Sequence, residues 1–259
     1  MPTHDTTTGT PPMIGRCLST HEWLDYVAAY DFGPVPPSRV VLHHTWVPTL
    51  EQWTGLRSMQ GMQRFYAGKG WTAAPHIYVG PDGIWLFTPM HTVGIHAGSG
   101  NSGRTNGKFW YSIGVEMVGN YDKVRPTGAV LEGTRAVLGG LSKRLGIAPR
   151  QLISFHRDYT DEKSCPGWAV TKDWVMAEIE GWLGAPPAAE QPRIYRVRVA
   201  VANVRSAPTT QIPALRQLRL NDQVEVIEIV SGELVSGDRR WAKLVGGGYI
   251  HRPLLEPAS

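Results

Sequence analysis

Apolar residues fall into two kinds of spacing along the first two thirds of this chain, and short strand-like runs take over after that. Val40–His44 is a continuous apolar run ending in two histidines, and Pro34, Pro36 and Pro37 interrupt the chain just before it. That combination predicts a buried strand. Upstream, Ser19-Thr20-His21-Glu22-Trp23-Leu24 has the form of a helix start, with Ser19 or Thr20 as cap and Glu22 in the first turn. Thr49–Ala67 predicts an amphipathic helix on which Trp53, Leu56, Met59 and Phe65 turn at helical spacing. His76–Val79, Pro81-Asp82-Gly83 and Ile84–Phe87 predict a strand, a tight turn and a strand. Ser112–Val118 and Leu152–Phe155 predict further strands. Val130–Leu145 predicts a helix that stops at Gly146, a residue suited to a left-handed cap. Val170–Leu183 predicts another, with Thr171 preferred over Asp173 as its cap.

The pattern then changes. The stretch 184–192, GAPPAAEQP, holds no core-forming residue and reads as a linker. Beyond it, Arg193–Val201, Gln223–Ile229, Arg240–Val245 and Gly248–His251 are short strand-like runs between turn clusters, which predicts a small β-barrel. Residues 1–13, rich in Thr, Pro and Gly, read as a flexible tail. The expected organisation is a tail and helix at 1–37, a larger domain at 38–183, the linker at 184–192 and an all-β domain at 193–259.

Composition narrows the class. With 259 residues there is room for one large domain and a small one. Charged residues make up only 19%, beside 29 Gly and 20 Pro, which describes a loop-rich globular chain and not a disordered one. The net charge of +4 suits an anionic surface, either nucleic acid or a wall polymer, but ordinary solvated charge explains it as well. No basic-aromatic motif supports nucleic acid, and no partner of that kind is expected. No apolar run is long enough to span a membrane, and the N-terminus shows no secretory signal pattern. The only two cysteines, Cys17 and Cys165, cannot form a disulfide framework. They form one bridge, or Cys165 serves elsewhere and Cys17 stays a free thiol.

Two distant segments carry the candidate chemistry. His43 ends the first apolar strand, His156 follows Phe155, and Cys165 lies in the loop Lys163-Ser164-Cys165-Pro166-Gly167. Two imidazoles and a thiolate are good zinc ligands, and three protein ligands leave a fourth position open, as catalytic zinc requires. Taken singly, a strand histidine is as readily a satisfied core residue and a lone cysteine a small buried hydrophobe. Metal-assisted hydrolysis also needs a base and an oxyanion partner. Glu116 sits in an otherwise apolar strand, where it either faces solvent or is used. Lys163, beside Cys165, offers the cation for an oxyanion, or is a solvated loop lysine.

Val41-Leu42-His43-His44-Thr45, Ser112-Ile113-Gly114-Val115-Glu116, and His156 followed by Lys163-Ser164-Cys165-Pro166-Gly167 together resemble the zinc-dependent N-acetylmuramoyl-L-alanine amidases of type 2. That superfamily includes the phage lysozyme-like amidases and the peptidoglycan recognition proteins. The resemblance covers about residues 38–183. It implies an α/β fold with a central mixed β-sheet flanked by helices, a Zn2+ ion held by His43, His156 and Cys165, and Glu116 and Lys163 as catalytic residues. Some members use a tyrosine instead, and Pro75 stands at that position here, which shifts the base role to Glu116. His44, His96 and Asn106 are expected near the substrate. The C-terminal runs Val201-Ala202-Asn203-Val204-Arg205-Ser206-Ala207-Pro208, Trp241-Ala242-Lys243-Leu244 and Gly248-Tyr249-Ile250-His251 resemble a bacterial SH3-type domain, a small all-β barrel that often binds peptidoglycan. Arg205, Trp241 and Tyr249 are its candidate wall contacts by residue type.

The resemblance thus implies a monomeric peptidoglycan hydrolase that cleaves between N-acetylmuramic acid and L-alanine. A phage endolysin held in the host cytoplasm until lysis is the expected setting, with a bacterial autolysin as the alternative. A recognition protein that holds peptidoglycan without cutting it is the competing class. Non-catalytic relatives typically lack the cysteine ligand, and Cys165 is present here.

Overall fold

The computed structural model describes residues 10–184 and 193–258. Most of the sequence-predicted tail and linker, residues 1–9 and 185–192, lies outside the described residues. The chain divides into two compact units, Met1–Ala185 and Pro186–Ser259, each with its own apolar core.

In chain order the first unit contains β1 (Arg16–Leu18), α1 (Thr20–Ala29), β2 (Arg39–His44), α2 (Leu56–Gly68), β3 (Ile77–Gly80), β4 (Gly83–Leu86), β5 (Ser102–Thr105), β6 (Lys108–Met117), α3 (Gly128–Leu145), α4 (Pro149–Leu152), β7 (Ile153–Phe155) and α5 (Lys172–Gly184). The strands form one mixed sheet in the order β1-β4-β3-β6-β2-β7, with β5 paired to β6. The centre, β3-β6-β2-β7, is parallel, while β1, β4 and β5 join antiparallel. Parallel strands covered on both faces read as continuous apolar runs, which is why β2 carries Val40, Val41 and Leu42 in succession.

Alternation sorts the strand residues between two faces. Val40, Leu42, Ile113 and Val115 join a core with Trp23 and Val27 of α1, Val137 and Leu141 of α3, and Met176 and Ile179 of α5. Each such burial stabilises by roughly 1.5–3 kcal/mol. On the other face Tyr78, Trp85 and Phe87 pack with Met59, Met62 and Tyr66 of α2. His43 and Glu116 are register partners in the β2–β6 pair, one residue on from Leu42 and Val115, so they share the second face.

Local chemistry sets the ends of the elements. Ser19 caps α1 in a reciprocal box: its Oγ accepts from the Glu22 backbone N–H at 3.2 Å, and the Glu22 carboxylate accepts from Ser19 N–H at 2.9 Å. Gly146, at φ +66°, ends α3. Trp174 N–H donates to Thr171 Oγ1 at the start of α5. The α2 helix begins at Leu56 and not at Thr49. Gly55 turns the chain at φ +60°, and Trp53 is pinned ahead of it by Nε1–H donation to Asp82 Oδ1 at 2.6 Å. The N-terminal segment is integral to the first unit, since β1 pairs with β4. Among the described residues no helix is long and apolar enough to cross a membrane.

The second unit holds β8 (Arg193–Val197), β9 (Val201–Arg205), β10 (Ala214–Arg219), β11 (Gln223–Val235), β12 (Asp238–Leu244), β13 (Tyr249–His251) and β14 (Leu255–Pro257). They form an all-antiparallel sheet in the order β10-β9-β13-β12-β11-β8-β14. Val197, Val204, Val226, Leu244 and Ile250 make its core. Nothing in the sequence announces β10, because nearly every position in it is exposed and no alternation shows.

Candidate metal centre

Three adjacent parallel strands deliver the site at their C-terminal ends, where ligands gather in open α/β sheets. His43 is the next-to-last residue of β2, His156 directly follows β7, and Glu116 lies near the end of β6. The loop after His156 then returns Cys165 to the same place. His43 Nδ1 lies 3.0 Å from His156 Nδ1 and 3.5 Å from Cys165 Sγ, and the three ligand atoms all lie within 4.8 Å of one another. A tetrahedron with bonds of about 2.0–2.3 Å has edges of roughly 3.3–3.8 Å, so the donor set fits a zinc-sized ion.

The electrostatics agree with that fit. Burial, together with the charge of Glu116, pushes the Cys165 thiol well above its ordinary range. Burial holds His43 far below its usual value, and burial followed by the charge of Lys163 lowers His156 to about 4. Both imidazoles are therefore neutral lone-pair donors at pH 7, and a bound cation would displace the thiol proton. Glu116 is buried, with Oε1 4.0 Å from His43 Nδ1 and Oε2 lacking any hydrogen-bond partner among the described residues. Its carboxyl is raised to about 8 by desolvation, with Lys163 opposing, so without a cation it carries its proton at pH 7, and a bound cation beside it would favour the ionised form that can act as a base. A buried carboxyl beside His43 with one oxygen left without a partner among the described residues fits a group that works on something bound there. Lys163 is exposed at the rim, and its charge bears on Glu116, His43, His156 and Cys165 alike.

The Cys165 loop has no ladder to hold it, and Arg157 supplies the bonds. Its backbone N–H donates to the Cys165 carbonyl at 3.0 Å. Its guanidinium donates to the carbonyls of Ser164, Gly167 and Val170 at 2.7–2.9 Å. Gly167, at φ +110°, passes so close to Tyr121 that a Cβ would stand 2.3 Å from its carbonyl oxygen. Sequence reasoning missed Arg157. The available signal was a guanidinium directly beside a ligand histidine and ahead of a loop that must be fixed.

The other candidate residues fare differently. His44 lies against the cluster, but its Nδ1 accepts from Tyr121 N–H at 3.1 Å and its backbone N–H donates to Cys165 Sγ at 3.3 Å. His96 is buried with one ring nitrogen against His43 and the other against Ser112. Asn106 is displaced from the expected substrate position. With Gly107 it forms the two-residue tip of the β5–β6 hairpin, both residues at positive φ, as an Asn-Gly type I′ turn demands. At about 3.3 Å per residue, β6 holds that tip on the order of 25 Å from Glu116. Trp241 is likewise not a surface contact: it is 1% exposed, and its Nε1–H donates to the Glu233 carbonyl. Arg205 and Tyr249 are half-buried register partners across β9 and β13. Both cysteines are free, so the alternative Cys17–Cys165 bridge is not formed.

A family model described as N-acetylmuramoyl-L-alanine amidase matches residues 33–168, a span that includes every residue of the cluster. The chain belongs to that family. A human protein named N-acetylmuramoyl-L-alanine amidase is 31% identical over 143 residues, covering 52% of this chain and 23% of the human one. The chain thus spans about a quarter of the length of that relative. Among solved structures, the endolysin amidase LysCS from Clostridium intestinale URNW shows 22% identity, covers 56% of this chain and 85% of that one, and gives a TM-score of 0.46. Drosophila PGRP-LB shows 24% identity over 64% of this chain and 94% of that one, with a TM-score of 0.47. In this amidase-family chain the cluster of His43, His156 and Cys165 is consistent with a zinc site.

Proposed function

We propose that the chain is a zinc-dependent peptidoglycan amidase that hydrolyses the amide between the lactyl group of N-acetylmuramic acid and the L-alanine of the stem peptide. The observation that carries this reading is the meeting of three potential ligand atoms with the buried Glu116 carboxyl, whose Oε2 has no hydrogen-bond partner among the described residues. His43, His156 and Cys165 would hold the ion. When bound, zinc supplies a Lewis acid for the scissile carbonyl and makes water acidic enough to attack near neutral pH. Glu116 takes a proton from the attacking water and passes it to the departing alanine nitrogen, the work of one carboxyl acting in turn as base and acid. The Lys163 ammonium balances the charge that develops on the carbonyl oxygen. Arg157 keeps Cys165 in reach of the two histidines throughout.

The lytic setting belongs to the same proposal: an endolysin that waits in the host cytoplasm and then acts as a monomer on the wall. Two free thiols suit a reducing compartment. The antiparallel C-terminal unit is read as an SH3-type module that grips peptidoglycan, with Arg205 and Tyr249 as candidate contacts.

Mass spectrometry of purified peptidoglycan after digestion tests the reading. Stem peptides beginning with L-alanine, intact glycan strands, and no products in the presence of a zinc chelator are expected. New reducing sugar ends or internal peptide cuts would assign the wrong bond. Absence of products, with the protein still pelleting with the wall, would favour recognition without cleavage.

A further inference from the structure

We propose that His96 is the positioning residue that sets the tautomer and ring orientation of His43, through a hydrogen-bond chain that ends on the Gly100 carbonyl. The inference rests on the reading of His43 as a metal ligand. The order of donors follows from the fixed end. A carbonyl oxygen only accepts, so Ser112 Oγ donates to Gly100 O at 2.6 Å. With its single proton so placed, Ser112 Oγ accepts from His96 Nε2–H at 3.3 Å. The neutral His96 ring then has a lone pair on Nδ1, and His43 Nε2–H donates to it at 3.1 Å. That leaves the lone pair of His43 on Nδ1, the atom that faces His156 and Cys165. Each link leaves only one arrangement for the next.

The surroundings hold His96 in place for this task. Its backbone N–H and that of Ala97 both donate to Asn101 Oδ1, at 3.0 and 2.7 Å. Its ring lies flat on Gly114, where a Cβ would stand 2.6 Å from His96 Cγ. Neighbouring His76 is occupied elsewhere: its Nδ1 accepts from Gly114 N–H at 2.9 Å, and its Nε2 donates to the Thr92 carbonyl at 3.0 Å. It therefore offers His96 no competing proton. Ser112, Gly114 and Glu116 alternate along one face of β6, so a single strand presents the hydroxyl, the seat for the ring, and the carboxylate. A ligating imidazole ordinarily gives its second N–H to a carbonyl or carboxylate; here another imidazole takes that place.

The test is zinc affinity of the full chain, measured in competition with a chromophoric chelator. Ring 15N shifts of His43 in the metal-free protein and cooperative melting of every variant accompany it. His96→Ala should weaken zinc by about 10–100-fold and release the His43 ring from its single tautomer. Gly114→Ala, which pushes the His96 ring aside, should act in the same direction. His96→Asn places an amide oxygen where Nδ1 now stands and should stay within a few-fold of wild type. Wild-type affinity in a folded His96→Ala protein would overturn the proposal. So would a His96→Asn protein as weak as His96→Ala, because ring shape and not the acceptor would then be what matters. A wild-type chain that takes up no zinc would instead overturn the metal reading on which the proposal stands.

Discussion

Cys165 and Glu116 separate metal binding from chemistry. Cys165→Ser removes a ligand from the three-membered cluster. It should lose both zinc, measured by atomic emission, and amide cleavage; a variant with full zinc content and activity would remove Cys165 from the site. Glu116→Gln keeps the shape of the side chain and leaves the ligands untouched. It should retain zinc while turnover falls about 10²–10⁴-fold, and a near-normal rate would move the base elsewhere. These residues were legible because chemistry demands unusual types in unusual places: histidines ending an apolar strand and a carboxylate inside one. Ser112, Gly114 and Arg157 were not, since their value lies in bonds to segments that only folding brings near. Asn106 and Trp241 stand where residue type alone did not point. Residue type suggested binding, but a hairpin tip and a core position had already claimed them.

Elements show the same division. The buried parallel strands and the helix caps could be read because their periods and end residues are strong signals. The start of α2 could not, because Gly55 and the Trp53–Asp82 bond override a pattern that continues upstream. The loop that carries Cys165 depends on one side chain. Arg157→Ala removes three guanidinium bonds to carbonyls. It should lower stability by about 1.5–3 kcal/mol or more and weaken zinc, as denaturant melts with and without the metal would report. In the second unit, Glu233 on β11 gathers the loop 209–211. Its carboxylate accepts from the Thr209 and Thr210 hydroxyls, the Thr210 backbone N–H and the Gln211 amide. Those bonds hold it near 2, below the ordinary 4.5. A carboxyl lowered on folding contributes stability that is complete above 4.5 and is lost as the pH falls through about 2. Glu233→Gln should therefore flatten the acid limb of the melting curve of this unit, and an unchanged limb would deny the loop that role.

At the scale of the molecule, the division into Met1–Ala185 and Pro186–Ser259, each with its own core, predicts that the two jobs can be parted. A chain ending at Ala185 should bind zinc and cleave soluble muropeptides at close to the full-length rate. On intact sacculi it should be slower and no longer pellet with the wall. Equal pelleting of the truncated and full chains would leave the C-terminal unit without a part in wall binding. The two-unit plan was visible in the sequence as a change of period across a coreless stretch. The mixed sheet order was not, because strand neighbours far apart in the chain are chosen by packing, as β2 is between β6 and β7.

The β6 strand has one more consequence, for how this family member tolerates change. Its even-numbered positions Ser112, Gly114 and Glu116 serve the site, while Ile113, Val115 and Met117 serve the core. Both sets resist substitution, for unrelated reasons. Changes in the first set should fall chiefly on the site, through the His96 ring and the Glu116 carboxyl, while changes in the second should fall chiefly on the packing of the sheet. Variation on this strand therefore meets two different penalties, lost site geometry at 112, 114 and 116 and lost core packing at 113, 115 and 117. A single inserted or deleted residue exchanges the two sets and forfeits both at once.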